Sequence, residues 1–518
     1  MKKTFNIAGP CRPDEHYMLP TLERCQGILN LIEHKQYFVI HAARQSGKTT
    51  LLLELAQQLN EAGKYYALYC SLETVQGITE AEQGIFSIIN RLKLEVELQE
   101  RLSEYSFAPD ADHFSTILIR SLSLFCKQLD KPLVVLFDEV DCLSNGTLIS
   151  FLRQLRDGYV NRSRIAFAHS IILVGMRNIR DYKGKIREER ETLGSASPFN
   201  IVSDALTLPN FTFEDLANLY VQHTKQTGQI FPVLVLEKIY HNTQGQPWLV
   251  NAIAREIVEK ILENDFSQTI EPKHVEQAVQ TLILRRDTHI DSLMERLKEA
   301  RVQRIIEPVI IGESKGYSVL DDDHQYVLDL GLLRHAEGHL IPANPIYGEV
   351  IVRTLGSRTQ MEMDERAYPS LSPTYVTNGK LDMKRLLSDF QSFWRENSEI
   401  WVGRYQYQEA APHLILQAFL QRLVNGGGRI SRELASGSGR IDLCIHYEGA
   451  DYPIELKLRY SEKTYQEGLE QLAGYMEKLD CLEGWLIVFD RRKNTPWRKK
   501  IFWKTRKKGG KTIFIVGC

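Results

Sequence analysis

The stretch from Tyr37 to Leu53 constrains the fold more than any other part of the chain. Its apolar start, Tyr37 to Ile40, predicts a buried strand, and the leucine spacing from Thr49 to Gly63 predicts a helix. Residues 42–49 match the pattern G-x-x-x-x-G-K-[ST], except that Ala42 stands at the first position, where alanine fits if its φ is negative. A strand, such a loop and a helix together present backbone N–H groups to phosphate oxygens. The stretch therefore predicts a nucleotide-phosphate site.

The residue types of this loop each have a chemical task. Gly47 lets the backbone approach a phosphate closely, Lys48 adds a positive charge, and the Thr49 hydroxyl can hold Mg²⁺. The residues predicted to contact the nucleotide are Ala42, Arg44, Gln45, Ser46, Gly47, Lys48, Thr49 and Thr50.

A second signature lies downstream, where an apolar strand beginning at Pro132 ends in paired carboxylates. Asp138 is suited to hold the water shell of Mg²⁺ and Glu139 to polarise an attacking water, although an acidic pair after a strand can also be a helix cap. A further apolar strand, Ser170 to Gly175, precedes Arg177, which is either a γ-phosphate sensor or a solvated arginine at a strand end. Strands separated by helices predict a parallel, doubly wound α/β sheet with the nucleotide at its carboxyl edge.

Further segments add a family resemblance to these two motifs. They are Ser197 to Asn200, Gly228 to Phe231 and Gly245 to Trp248. With them the chain resembles the bacterial AAA-like ATPases related to archaeal and STAND-type P-loop ATPases. The resemblance implies ATP and Mg²⁺ as cofactors, an ATPase core in residues 1–210, a helical lid in 211–283 and a winged helix in 284–356. It also implies that Pro247 contacts the adenine, whereas a proline at this position can simply begin a helix.

The C-terminal part is predicted to be a separate unit. Periodicity lapses from Ser357 to about Lys380, and a new unit begins near Leu381, so the linker is set at 357–395 and an α/β domain at 396–518. Its central feature is a predicted hairpin in which Tyr447 lies opposite Tyr452 across a turn from Glu448 to Asp451. In this register Asp442 faces Lys457, Cys444 faces Glu455, and the alternate residues form an apolar face.

Two carboxylates and a lysine on adjacent strands can bind Mg²⁺ or Mn²⁺ and activate water against a phosphate. The pattern resembles the PD-(D/E)XK nuclease superfamily, in the branch near resolvases and RecB-type nucleases, although no proline precedes Asp442. The resemblance implies that Asp442 and Glu455 are metal ligands, that Lys457 is catalytic, and that the fold is restriction-endonuclease-like. It adds Glu409 as the early acidic residue, Glu433 on the preceding strand, and Gln471 with Tyr475 as a helical Q-x-x-x-Y element. The alternative is an ordinary strand salt bridge.

Charge and cysteine content set limits on the partners. With 64 Lys and Arg against 66 Asp and Glu, binding of a polyanion must come from local clusters. Residues 491–511 hold eleven Lys and Arg, no acid, and three aromatic residues, which favours DNA over the alternative of an edge strand protected by lysines. Asp321, Asp322, Asp323 and Asp329 favour packing of the winged helix against the ATPase over DNA binding. The eight cysteines have no zinc-site spacing and suit reduced thiols.

The sequence contains neither a signal-like apolar core nor an apolar run of membrane-spanning length, so a cytoplasmic protein with no membrane partner is expected. The main hypothesis is an ATP-controlled, Mg²⁺-dependent deoxyribonuclease, with defence against foreign DNA as its setting. One alternative is a STAND-like nucleotide switch whose nuclease-like domain only docks nucleic acid or a partner. Another is a loader ATPase resembling replication-origin proteins. A homo-oligomer is left open.

Overall fold

The computed structural model describes residues 2–109, 113–175, 202–285, 288–310, 321–336, 338–366, 375–377, 380–402, 411–424, 429–434, 441–459, 462–490 and 495–518. The chain divides into two compact units, each described by itself below. The first comprises residues 1–284 with 328–331, and the second comprises residues 285–327 with 332–518.

A five-stranded sheet forms the centre of the first unit. Its strands are β1 (Tyr37–His41), β2 (Tyr66–Ser71), β3 (Leu133–Asp138), β4 (Ser170–Gly175) and β5 (Val202–Thr207). All pairings are parallel and the order is β2-β3-β4-β1-β5, so Val39 of β1 lies between Leu173 and Ala205. Helices cover both faces, and the strands are therefore continuous apolar runs. This is the doubly wound parallel sheet that the sequence predicts.

Two helical layers enclose this sheet. They comprise α1 (Thr21–Arg24), α2 (Ile28–Glu33), α3 (Lys48–Ala62), α4 (Ala81–Leu98), α5 (Phe114–Gln128) and α6 (Asn145–Asn161). Phe38 and Ile40 of β1 face the core that includes α3, while Tyr37 and Val39 face the core that includes α4, α5 and α6. The alternation along β1 thus divides its side chains between two cores.

Helices follow the sheet, as the sequence predicts for the lid. They are α7 (Phe213–Thr227), α8 (Val233–Thr243), α9 (Pro247–Arg255) and α10 (Pro272–Arg285). Thr212 and Asp215 form a reciprocal capping box at the start of α7, which satisfies two backbone N–H groups. Pro247 is the first residue of α9, where its missing N–H costs nothing.

The second unit begins with α11 (Thr288–Arg296), α12 (Ala300–Ile310), α13 (Asp322–Asp329), the hairpin β6 (Leu333–Ala336) and β7 (His339–Pro342), and α14 (Pro345–Arg366). The predicted hairpin is present. Aspartates at the start of α13 pair with arginines of α12, because Arg304 contacts Asp321 and Asp323 while Arg301 contacts Asp323. Local ion pairing thus accounts for part of the acidity, and the winged-helix assignment stays a prediction.

A six-stranded mixed sheet follows the short strands β8 (Val376–Thr377) and β9 (Lys380–Leu381). Its strands are β10 (Arg429–Leu434), β11 (Ile441–Tyr447), β12 (Ala450–Arg459), β13 (Glu483–Asp490), β14 (Phe502–Lys508) and β15 (Lys511–Gly517), in the order β10-β11-β12-β13-β15-β14. The helices are α15 (Met383–Val402), α16 (Ala411–Val424), α17 (Glu462–Lys478) and α18 (Trp497–Lys500).

Helices cover both faces of this sheet. Phe489 of β13 packs against Phe390 and Trp394 of α15, and Gln391 of α15 donates to the carbonyl of Gly517 at 2.6 Å. On the opposite face, Leu472 of α17 packs in a core with β13 and β15. Helix α15 therefore packs on the sheet although most of it lies within the residues assigned to the linker, which agrees with a unit beginning near Leu381.

The register predicted for the β11–β12 hairpin is wrong by two residues. Tyr447 pairs with Ala450, not with Tyr452, and Cys444 pairs with Pro453, not with Glu455. The loop contains only Glu448 and Gly449, which both have positive φ (48° and 77°), as in the tight turns that match the twist of a hairpin. A shift of two preserves the alternation of faces but separates the predicted partners Asp442 and Lys457.

Within the described part of the chain, none of the helices combines the length and the apolarity that crossing a bilayer requires.

Candidate functional site

The loop between β1 and α3 has the geometry of a phosphate site. Ala42 has a negative φ, as its side chain requires, whereas Gln45 and Gly47 have φ of 57° and 95°. Gly47 immediately precedes α3, so the N-terminal N–H groups of that helix are directed towards the loop. Lys48 is buried, and its Nζ donates to the carbonyl oxygens of Ala42 and Ala43, both at 2.9 Å. The lysine thus lies inside the loop that it is predicted to serve.

Asp138, at the end of β3, is the centre of a hydrogen-bond network. Its Oδ2 accepts from the Thr49 hydroxyl at 2.7 Å and from the Tyr69 hydroxyl at 3.2 Å, and its Oδ1 accepts from the Glu139 N–H at 2.9 Å. Asp138 is buried, so these donors stabilise its negative charge. Thr49 and Asp138 are thus together, as predicted for the Mg²⁺ residues, and their oxygens suit that hard cation. Tyr69 was not predicted, because a tyrosine at a strand end carries no motif.

Glu139 is placed to act as a base. It follows β3 in a left-handed conformation with φ of 56°, which turns the chain away from the strand direction. Burial raises its pKa, and the positive charge of Lys48 opposes that shift. Burial also lowers the pKa of Lys48, against the effect of Glu139, Asp141 and Asp138. The two predicted groups therefore lie within electrostatic reach of each other.

The turn before α9 connects the helical lid to the phosphate loop. Gln246 donates from Nε2 to the carbonyl of Gln45 at 3.3 Å, and its Oε1 accepts from the N–H of Leu249 at 2.6 Å. Pro247, the predicted adenine contact, is buried and begins the helix. Its contact with adenine stays a prediction.

An N-terminal segment that the sequence did not indicate lies against the same elements. The indole N–H of Trp248 donates to the carbonyl of Ile7 at 2.9 Å, and the N–H of Cys11 donates to the Thr50 hydroxyl at 3.1 Å. Residues 7–11 therefore extend from the start of α9 to the start of α3. Non-periodic loops of this kind give no signal in sequence patterns.

Arg24 is a second residue that the sequence did not indicate. Its guanidinium donates to the carbonyls of Ser46 and Pro209, at 3.3 and 2.5 Å, and lies 4.5 Å from the centre of the Phe211 ring. Burial lowers its pKa to about 10. Because it contacts the phosphate loop from α1, Arg24 holds the loop through its backbone.

Replacement of Gly245 by alanine should destabilise the first unit. Gly245 has φ of 71°, and an added Cβ would lie 1.8 Å from the carbonyl oxygen of Phe211. The left-handed backbone should cost about 1–2 kcal/mol and the forced shift about 1–3 kcal/mol more. Gly228→Ala is the matched control, because Gly228 has φ of 80° but nothing within 4 Å of the added atom. Scanning fluorimetry should show a larger loss of melting temperature for Gly245→Ala; equal losses would contradict the steric argument.

The second candidate site lies on β12. Glu455 and Lys457 are two residues apart on one face of the sheet, and both are buried. Lys457 Nζ lies 2.5 Å from Glu455 Oε1, whereas Glu455 Oε2 has no hydrogen-bond partner among the described residues. Helix α17 approaches this pair closely, since a Cβ on Gly468 would lie 2.8 Å from Lys457 Cγ. The pair is therefore not the exposed strand salt bridge that the sequence left as an alternative.

Further buried polar groups lie on the helices that cover this sheet. Gln471 of α17 has a buried Oε1 without a hydrogen-bond partner, and the ring nitrogens of His413 and the amide of Gln417, both on α16, also lack partners among the described residues. Burial, followed by the charge of Lys457, lowers the pKa of His413 to about 3. Tyr475 is buried on α17, one turn after Gln471. Buried polar atoms without protein partners are rare and usually meet water or a ligand.

Some predicted residues cannot be compared with this geometry. Arg177 and Glu409 lie outside the described residues. Asp442 is on β11 and pairs with Glu433 of β10, but only the backbone of these two residues is described. Their predicted roles stay predictions.

The basic tail forms an edge of the same sheet. On β14, Lys504, Arg506, Lys507 and Lys508 are exposed. Trp503 is half-buried and donates to Gln391 Oε1 at 2.6 Å, and Lys500 lies over the Trp497 ring at 5.3 Å from its centre. Trp503 therefore has a structural partner, and the exposed charge is concentrated on β14.

The parallel sheet in the order β2-β3-β4-β1-β5, with Lys48, Thr49 and Asp138 at its carboxyl edge, defines a P-loop nucleoside-triphosphatase fold. The AAA-like domain family matches residues 26–351, which is more than half of the chain. The chain therefore belongs to this family of P-loop ATPases, and nucleotide binding with Mg²⁺ follows from it. A domain family of unknown function (DUF8371) matches residues 389–493.

Several solved structures are similar to the ATPase part. The Walker-type ATPase PABY2304 of Pyrococcus abyssi is 13% identical with a TM-score of 0.48, and the match covers 67% of this chain and 99% of that chain. The ORC1 protein of Aeropyrum pernix in complex with DNA is 12% identical with a TM-score of 0.36, covering 66% and 94%. A RuvB variant of Thermotoga maritima is 13% identical with a TM-score of 0.33, covering 62% and 90%. Similarities at these scores carry no argument about function. No curated protein matches the sequence.

Proposed function

We propose that the chain is an ATP-controlled deoxyribonuclease, in which the P-loop unit binds and hydrolyses ATP and the mixed-sheet domain cleaves DNA with a divalent cation. The observation that carries the proposal is the buried Glu455–Lys457 pair, in which one carboxylate oxygen contacts the lysine and the other has no partner among the described residues. A buried carboxylate oxygen in this state suits a hard cation such as Mg²⁺ or Mn²⁺. Asp442, on the neighbouring strand, is the proposed second ligand.

The chemistry assigned to each residue follows from its type. A bound divalent cation would supply a Lewis acid that activates water and polarises the phosphate. Asp442 and Glu455 would hold it, and Glu409 is the proposed third acidic group. Lys457 would stabilise the charge that develops on the phosphate or orient the attacking water. Gln471, with a buried oxygen on α17 that meets no described partner, would position that water.

Control by ATP is the second part of the proposal. In the first unit, Lys48 would bind the phosphates, Glu139 would activate the hydrolytic water, and Arg177 would sense the γ-phosphate. Because Gln246 of the lid contacts the Gln45 carbonyl of the phosphate loop, nucleotide state can change the position of the lid. DNA is the proposed partner, and a homo-oligomer is the proposed assembly.

Incubation of the purified chain with DNA tests the proposal. Supercoiled, linear, single-stranded and branched DNA should each be offered with Mg²⁺ or Mn²⁺, in the presence of ATP, ADP or a non-hydrolysable ATP analogue. We expect cleavage of at least one substrate, with a rate that depends on the nucleotide. If every DNA stays intact under all conditions, the docking-module alternative replaces the nuclease.

The exposed cations of β14 should contribute to DNA binding without sequence preference. Replacing Lys504, Arg506, Lys507 and Lys508 by glutamine should weaken binding and flatten the slope of log affinity against log salt by about 0.9 for each duplex phosphate that the protein ceases to neutralise. Fluorescence anisotropy at several salt concentrations measures that slope. The matched control replaces four exposed lysines elsewhere, Lys35, Lys93, Lys127 and Lys225. An unchanged slope combined with aggregation would instead show that the lysines protect a sheet edge.

A further inference from the structure

A thiol, an imidazole and a carboxylate converge at the closed end of the β11–β12 hairpin. Cys444 and His446 are two residues apart on β11 and therefore point to the same face, and Asp451 is the pairing partner of His446 on β12. One potential ligand atom from each residue lies within 4.8 Å of the other two. Cys444 is buried, whereas His446 and Asp451 are about one-third exposed, so an ion can reach the group from solvent.

We propose that Cys444, His446 and Asp451 form a binding site for a transition-metal ion of the zinc class, with water in the remaining coordination position. Zinc accepts thiolate, imidazole and carboxylate ligands at about 2.3, 2.0 and 2.1 Å, respectively, in a tetrahedral arrangement. Such bond lengths place the ligand atoms about 3–4 Å apart, which the present separations allow with small side-chain rotations. The proposal needs no movement of the backbone.

The donor set selects the ion. A thiolate is a soft ligand and is avoided by Mg²⁺ and Ca²⁺, while zinc and its neighbours in the first transition row bind it well. The site is therefore chemically distinct from the all-oxygen carboxylate site proposed around Glu455, although both lie on the same face of β12. A metal that binds only through oxygen would not occupy the hairpin site.

A simpler description covers only part of the group. His446 Nδ1 lies 2.5 Å from Asp451 Oδ1, which is a cross-strand hydrogen bond or ion pair that needs no metal. It does not account for the buried thiol of Cys444 as a third neighbour. The two descriptions differ in one measurable respect, because only the metal site gives a thiolate–metal bond.

The site would fix the register of the hairpin. The ion would cross-link β11 to β12 beside the loop of Glu448 and Gly449, and a slip of the strands by two residues would place His446 opposite Pro453 and break the site. Asp442 and Glu455 lie further along the same two strands. Metal at the hairpin end would therefore hold in register the strands that carry the proposed nuclease residues.

The test uses the full chain, stripped of metal with a chelator and titrated with Co²⁺. We expect one equivalent of Co²⁺ to give the intense thiolate-to-cobalt charge-transfer absorption, and Zn²⁺ to displace it. Cys444→Ser should abolish that absorption. His446→Ala and Asp451→Asn should weaken Co²⁺ affinity by more than about 100-fold, since loss of an outer-shell partner alone typically costs 10–100-fold.

Two controls keep the result specific. Cys481→Ser removes a thiol whose Sγ lies 3.7 Å from the carbonyl of Asp451, and Cys126→Ser removes a distant half-buried thiol on α5. Both should retain the absorption, and its loss in Cys481→Ser would overturn the proposed ligand set. Because Cys444 is fully buried, circular dichroism must show a native fold in Cys444→Ser. If it does not, the partly exposed His446→Ala decides.

Absence of a charge-transfer band in the wild type, or its persistence in Cys444→Ser, would overturn the metal site. The readout is metal binding, so the outcome does not depend on whether the protein cleaves DNA. A chain that binds Co²⁺ through Cys444 but leaves DNA intact would support the metal site and contradict only the nuclease.

Discussion

Replacement of Glu455 by glutamine should reduce DNA cleavage by more than about 100-fold, because it removes a negatively charged oxygen ligand from the proposed cation site. DNA binding should survive, since the substitution also removes a negative charge that repels phosphate. Cleavage rates at saturating Mg²⁺ and binding by anisotropy separate the two effects. Asp442→Asn should lose cleavage in the same way. Lys457→Ala should lose cleavage but keep Mg²⁺ binding.

Glu455→Gln should also affect stability, and this effect can be removed. The side chains of Glu455 and Lys457 are 1% and 6% exposed, so loss of the carboxylate leaves a buried lysine without its counter-charge. Breaking such a pair costs about 3–5 kcal/mol in the free energy of unfolding, whereas replacing both partners with apolar residues of similar size is often neutral. The double variant Glu455→Met, Lys457→Met should therefore regain stability and remain inactive.

The hairpin offers a matched control for cleavage. Glu448 is exposed in the loop of the same hairpin, and Glu448→Gln should leave cleavage unchanged. If Glu455→Gln cleaves DNA as fast as the wild type, Glu455 is not a metal ligand. If the double variant recovers cleavage together with stability, the pair is structural and the chemistry lies elsewhere.

The phosphate loop could be predicted from the sequence because its information is contiguous. Strand, loop and helix follow each other within residues 37–62, and each residue type has one local task. The acidic end of β3 is equally local. Interactions between parts of the chain remote in sequence could not be predicted in this way. Tyr69, Arg24 and residues 7–11 join this site only through the fold, and each is an ordinary residue in its own sequence neighbourhood.

The β11–β12 hairpin shows which part of a sheet the pattern determines. Alternation of polar and apolar residues correctly assigned the faces of both strands, since any shift by an even number preserves it. It could not determine the register, which depends on how many residues form the loop. The predicted turn used four, but Glu448 adopts positive φ beside Gly449 and the loop needs only two.

That error also concealed the cluster proposed as a metal site. In the predicted register His446 would lie opposite Pro453, and Asp451 would fall within the turn. The observed register brings Asp451 opposite His446. Burial was a further limit, because the pattern placed Glu455 and Lys457 on a polar face, whereas α17 covers that face and buries both residues. Coverage by a distant helix cannot be inferred from the strand itself.

The ATPase site gives a prediction of comparable size, in which two substitutions have opposite effects on binding. Lys48→Ala should weaken ATP binding by about 30-fold or more, since losing one partner of a buried charge pair costs about 2–5 kcal/mol. Glu139→Gln should keep ATP affinity and slow hydrolysis by about 10²–10⁴-fold, because a glutamine cannot accept the proton of the attacking water. Isothermal titration with ATP and phosphate release measure the two quantities.

Glu61→Gln serves as the control for both ATPase variants, because Glu61 is exposed on α3, away from the phosphate loop. It should bind and hydrolyse ATP as the wild type does. Equal ATP affinity in the wild type and Lys48→Ala would contradict the assignment of the loop, and undiminished hydrolysis in Glu139→Gln would assign the base to another group. Since control of the nuclease is proposed to pass through this site, Lys48→Ala should also remove the dependence of DNA cleavage on ATP. If cleavage in Lys48→Ala responds to ATP as in the wild type, the two units act independently.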